Sequence, residues 1–149
     1  MKTIRILAYT LILSALFFLP LNRVEIADLE PIQAVWLFQD GEEIILKTDT
    51  EDIGKGATVQ EALINMKENS SGIIYLDTAQ YLLVSQSAQQ QIADMQPYLK
   101  GSALVCIWNG QGDMSEAVKY ADSHKVGGKL KNWKPDSELP SLHYFIKKE

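Results

Sequence analysis

The sequence predicts an α/β (α+β) fold: a small mixed β-sheet containing a β-hairpin, packed against about three amphipathic helices and preceded by an N-terminal hydrophobic helix. Three features carry that expectation. "IQAVWLFQDGEEIILKT" is two β-rich runs around Asp40-Gly41, a strong short-range hairpin signal. Runs of strand character then alternate with runs of helical period. Finally, "SALVCIWNG" is an almost unbroken apolar stretch, as expected of a strand covered on both faces.

Taken in order, Lys2 and Arg5 precede Ile6 to Leu21, sixteen residues without a charge and interrupted only by Thr10 and Ser14. This is the basic n-region and apolar core of an export signal. It has no small-x-small cleavage site near its end, so residues 1–22 read as a signal anchor or signal peptide, with the uncleaved anchor preferred. The positive end stays in the cytoplasm, and the chain from Arg23 onward lies outside.

The hairpin follows over 32–48, with a type I′ turn expected at Asp40-Gly41. "TVQEALINMKE" places Val59, Ala62, Leu63 and Met66 on one helical face, with Thr58 and Glu61 as a capping box. "GIIYLD" and "YLLVSQ" read either as two short strands around Thr78-Ala79 or as one broken element. "SAQQQIADMQPYLKG" predicts a helix over 87–99 with Ala88, Ile92 and Met95 inward, disrupted by Pro97 and closed by Gly101. After the strand at 103–108, Asp113 and Glu116 cap a helix over 114–123 with Met114, Ala117, Val118 and Ala121 inward. The predicted order is β-β-α-β-β-α-β-α. Beyond Lys125 the pattern weakens to a loop, and "LHYFIKK" reads as a final strand or a docked tail.

Charge divides the chain. Residues 23–118 carry five Lys or Arg against fifteen Asp or Glu, a balance of −10, whereas 119–149 carry seven against four, a balance of +3. So acidic a body argues against a nucleic-acid partner, because phosphate affinity comes from a basic face. The domain plan is therefore leader 1–22, folded body 23–124 and basic tail 125–149.

The residues point to no catalytic set, no cofactor and no metal site, and the expectation is that the protein is not an enzyme. "DTEDIGKGATVQ" starts like a calcium loop but has Gln60 where the bidentate acid is needed, and so reads as a solvated acidic loop. "GGKL" lacks the remaining residues of a phosphate loop. The one cysteine, Cys106, sits in an apolar strand far in sequence from His124 and His143, which is the setting of an inert core thiol. In "HKVGGKLKNWK", Lys129, Lys131 and Trp133 are candidate partner-binding residues, as a basic and aromatic patch suits an anionic lipid or an acidic partner. The alternative is a solvated loop with the indole tucked against the body.

The stretches "NRVEIADLEPIQAVWLF", "GATVQEALINM" and "IYLDTAQYLLVSQSA" resemble, in order and spacing, the beginning of the Ger(x)C family, the lipoprotein C subunits of spore germinant receptors. That family reads Cys-Trp-Asp-Arg-Arg-Glu-Ile-x-Asp-Leu after its signal. Arg23, Glu25, Ile26, Asp28 and Leu29 match, while Pro20 and Leu21 stand where the lipidated cysteine and the tryptophan belong. The resemblance covers roughly residues 5–122, the first domain of the usual three, and does not extend to the family's large C-terminal domain. It implies a membrane-tethered, extracytoplasmic interaction module of spore germination, docking to integral-membrane receptor subunits, with the spore inner membrane as its setting. Arg23, Glu25 and Asp28 are then further candidate partner-binding residues. Without a thiol to acylate, the apolar leader itself must hold the membrane. The alternative class is a small cell-envelope sensor or ligand-binding domain, unrelated to germination, whose hairpin and strand ends form a pocket.

Overall fold

The computed structural model describes residues 29–142. The leader and the candidates Arg23, Glu25 and Asp28 lie outside the described residues, as do residues 143–149. Among the described residues no helix is long and apolar enough to cross a membrane.

The described chain is a mixed α/β structure around a six-stranded sheet in the order β4 (Ile53–Gly56), β3 (Glu43–Thr48), β2 (Ala34–Asp40), β6 (Tyr81–Val84), β7 (Leu104–Ile107) and β8 (Gly128–Lys129), with a separate two-stranded pair of β1 (Leu29–Pro31) and β5 (Ile73–Tyr75). β2 (Ala34–Asp40) and β3 (Glu43–Thr48) form the expected antiparallel hairpin. Asp40 pairs with Glu43, so the two turn residues are Gly41 and Glu42, and only Gly41 has positive φ (+61°). That corrects the expected type I′ turn, which needs positive φ at both central positions. A glycine at the first alone is the requirement of a type II′ turn, set one residue later.

β6 (Tyr81–Val84) runs parallel to β2, and β7 (Leu104–Ile107) parallel to β6. These central strands are buried on both faces, and period-2 alternation divides their side chains into two clusters. Val35, Leu37, Leu82, Val84 and Val105 point to one face and Ala34, Tyr81, Leu83 and Cys106 to the other.

The first face is covered by α1 (Val59–Asn69), which buries Val59, Ala62, Leu63 and Met66. Half of the expected capping box forms: the Glu61 N–H donates to Thr58 Oγ1 (3.2 Å), whereas the Glu61 carboxylate reaches one residue past the cap and accepts from the Ala57 N–H (2.9 Å). The predicted helix at 87–99 is broken into a 3₁₀ stretch at Gln86–Gln91, a single α-turn α2 (Ile92–Met95) and a second 3₁₀ turn at Gln96–Tyr98. No side chain caps its start, and Pro97 withholds a backbone donor, so the tighter winding is used at both ends. Ala88, Ile92 and Met95 are nonetheless fully buried, as their spacing predicted.

The second face is covered by α3 (Met114–His124), which buries Met114, Ala117 and Ala121 over Cys106, Leu83 and Trp108. Asp113 caps it by accepting the Ser115 N–H at 2.6 Å, and Lys125 ends it in the left-handed conformation.

Three strands lie where the sequence suggested none. β4 (Ile53–Gly56) pairs with β3 inside the segment read as an acidic loop. Gly54 and Gly56 face α1 there: a Cβ on Gly54 would sit 2.0 Å from the Ala62 carbonyl, so only bare backbone fits under the helix. β1 (Leu29–Pro31) pairs in parallel with β5 (Ile73–Tyr75). β8 (Gly128–Lys129) lines the outer edge of β7, and beyond it Ser141 bridges Ile107. Leu130 and Leu142 are buried, one in each cluster, so the segment 128–142 is anchored near both its ends to the sheet and its cores, with most of the residues between them exposed.

Candidate functional site

Trp36, at the middle of β2, projects to the second face beside the area that α3 covers. Phe38 stacks on it (centroids 4.0 Å apart, 23°), and Trp108, just past the end of β7, meets it edge-on at 4.9 Å and 62°. From Trp108 the chain turns through Gly110 (φ +73°) and Gly112 (φ +86°) into the Asp113 cap of α3. A Cβ on Gly110 would stand 2.4 Å from the Trp36 ring, so this glycine lets the loop lie directly against the indole.

The opposite wall comes from the end of β3 and the turn after it. Lys47 is the cross-strand partner of Trp36, and Thr48, Asp49 and Glu51 follow. Together these walls enclose an open crevice of about 360 Å³.

Hydrogen bonding separates the committed groups from the uncommitted ones. Asp49 accepts the backbone N–H groups of Gln33 (3.1 Å) and Ala34 (3.2 Å), pinning the start of β2. Thr48, fully buried, is satisfied by the Thr50 hydroxyl at 2.7 Å and the Asp52 N–H at 3.1 Å. The hydrogen bonds from Ser115 hold the Asp113 carboxyl below the usual carboxylate range. In contrast, the indole Nε1 atoms of Trp36 and Trp108 are buried without a partner. Each is a donor removed from water without compensation, at a cost of about 1–3 kcal/mol.

The residues singled out in the sequence are dispersed. Cys106 is fully buried under α3, and burial pushes its thiol from 9.0 up to about 12. His124 ends α3, where its ring stacks on Tyr120 at 4.0 Å and Nδ1 lies 2.8 Å from Ser123 Oγ. Tyr81 donates to Asp122 at 3.2 Å, and burial together with that bond raises its pKa to about 12. The segment resembling a calcium loop is spent on the Asp49 cap and β4, and among the described residues no group of three potential ligands gathers for a metal ion.

In the basic segment, Lys129 and Lys131 are exposed, while Leu130 between them is buried. Trp133 is half-buried and packs against the first cluster, as Tyr98 and Leu139 also do.

Sequence reasoning missed the Trp36–Trp108 crevice. Its signal was two tryptophans in apolar runs and the "NGQGD" connection between strand and helix, where two glycines bring backbone up to a ring. No family model, curated protein or solved structure matches the chain.

Proposed function

We propose that the protein is a membrane-tethered, extracytoplasmic interaction module, similar to the first domain of the germinant-receptor C subunit, that docks to integral-membrane subunits during spore germination. The observation supporting this most directly is the position of β1. Leu29, the last residue of the family-like segment Arg23–Leu29, is the first residue of β1 and pairs with Ile73. Six residues of sequence, Arg23 to Asp28, separate Leu29 from the apolar leader. A connection that short, at most about 20 Å when extended, holds the folded body against the bilayer and beside any integral-membrane partner.

Fractionation of spore membranes with intact-mass analysis tests the tether, and co-purification tests the partner. Full-length, unacylated chain in the membrane fraction together with receptor-type subunits is the expected result. A soluble mature chain beginning near residue 20 overturns it.

One observation favours the second reading, a small ligand-binding domain of the envelope. The crevice between Trp36, Lys47 and Trp108 is built from the hairpin and from a strand end, as such a pocket requires. Ligands entering it alter tryptophan emission, and a Trp133→Phe background restricts that signal to the two crevice indoles.

A further inference from the structure

Four large apolar side chains are conspicuously exposed among the described residues: Ile53 (45%), Ile64 (49%), Ile73 (42%) and Tyr75 (44%). Three of the four belong to α1 and β5. Ile73 and Tyr75 stand on the same side of β5, since the residue between them, Ile74, is buried. Tyr75 shares a shallow crevice of about 240 Å³ with Leu63 and Lys67 of α1 and with Pro97 and Tyr98. Ile64 lies three residues before Lys67, on the same side of that helix.

This patch also sits where the chain leaves for its leader. In the parallel pair β1-β5, Leu29, the described residue nearest the leader in sequence, is opposite the exposed Ile73. The hairpin turn at Gly41 is at the far end of β2, about 23 Å of strand away. Tyrosine and isoleucine together suit the boundary between headgroups and acyl chains, where a ring can bury its body and keep its hydroxyl wet.

We propose that the Ile64–Ile73–Tyr75 face rests on the lipid surface, with the β1-β5 end toward the membrane and the hairpin turn away from it. The inference relies on the tether proposed above and adds an orientation to it. The crevice rim carries Lys67 and Asp77, and Ile64 is flanked on α1 by the exposed Glu61 and Glu68, so no net basic charge draws this face to the lipid; contact comes from apolar insertion and does not weaken at high salt.

The test uses the full chain reconstituted in vesicles of phosphatidylethanolamine and phosphatidylglycerol. Tyr75→Cys, Ile64→Cys and Glu42→Cys variants are each labelled with a polarity-sensitive fluorophore, Cys106 being buried and unreactive. Nitroxide placed near the headgroups of the lipids serves as the quencher. Probes at positions 75 and 64 are expected to lose most of their emission, at low and high salt alike, while the probe at 42 keeps its own. Equal emission at all three positions overturns the orientation while leaving the tether standing. Protection of position 75 that appears only when integral-membrane subunits are present overturns the lipid as occupant in favour of a protein. A chain that remains in the aqueous phase removes the tether and this proposal with it.

Discussion

Gly54→Ala isolates the contact on which β4 depends. The glycine faces α1, and a Cβ there would lie 2.0 Å from the Ala62 carbonyl oxygen, 2.6 Å from Met66 Cβ and 2.9 Å from the Met66 nitrogen. Two of the three atoms are helix backbone and cannot swing aside. Relief requires β4 and α1 to separate by roughly 1 Å, and a gap of that size forfeits a quarter to a half of each dispersion contact along the seam. Overpacking typically costs about 1–3 kcal/mol, and the rigidity of these neighbours puts the substitution at the upper end, about 2–4 kcal/mol. For a domain of this size that is a fall in Tm of roughly 8–16 °C. The measurement is a thermal melt of residues 24–149 by far-UV circular dichroism. Gly128→Ala, with open space around its Cβ, is the neutral control. Gly41→Ala, with no neighbour within 4 Å but φ at +61°, isolates backbone strain at about 1–2 kcal/mol. Adding Ala62→Gly should not rescue Gly54→Ala, because the obstacle is a carbonyl and not a methyl. A Gly54→Ala melt within 2 °C of the parent would refute the reasoning.

Other expectations follow from the same geometry. Cys106 is raised from 9.0 to about 12 and Tyr81 from 10.0 to about 12, so the native state holds both protons more tightly than the unfolded chain. Their contribution is complete below about pH 9 and is lost as pH climbs to about 12, giving an alkaline decline in denaturant midpoint that Cys106→Ala makes shallower. The Cys106 thiol should ignore a thiol-specific reagent at pH 8 until denaturant unfolds the chain, so its labelling rate reports unfolding. Trp108→Ala, which removes an indole only 3% exposed, should cost about 3–5 kcal/mol in a urea titration. Trp133→Ala should lower the melting temperature through its core contacts, whereas Lys129→Ser with Lys131→Ser should stay within about 0.5 kcal/mol of the parent.

Local chemistry carried most of the fold that was legible in advance. Thr58 with Glu61 and Asp113 with the first turn of α3 are contacts within one helical turn, and period 3.6 identified Val59, Ala62, Leu63 and Met66 because their partners needed only to be apolar. The failures needed information from a distance. "IGKG" looks like a loop because its inward positions are glycines, and they are glycines because α1 lies against them. Leu29–Pro31 and Gly128–Lys129 are too short to have a period of their own, and they become strands only when Ile73 and Val105 are placed beside them. Leu104, inside the apolar run "SALVCIWNG", is half-buried, and Leu82 and Leu83 at zero exposure are the deeper positions. The crevice was illegible for the same reason. Trp36 and Trp108 are 72 positions apart in sequence, and only the parallel pairing of β2, β6 and β7 puts them 4.9 Å from each other.

The outer edge of β7 is shared by two pieces of chain, with Gly128–Lys129 against its first half and Ser141 against Ile107. A chain ended at Lys125 would keep α1, α2 and α3 and lose both of these partners. The row of amide and carbonyl groups on an apolar strand reading Leu-Val-Cys-Ile would then lie open, which is the template for edge-to-edge addition of a second molecule. The opposite edge is protected differently: β4 is four residues long, carries Lys55 and offers little length to a newcomer. The segment after α3 thus acts as a built-in guard against self-association. Shortened forms of this protein should be expected to precipitate or form fibrils before they fail to fold.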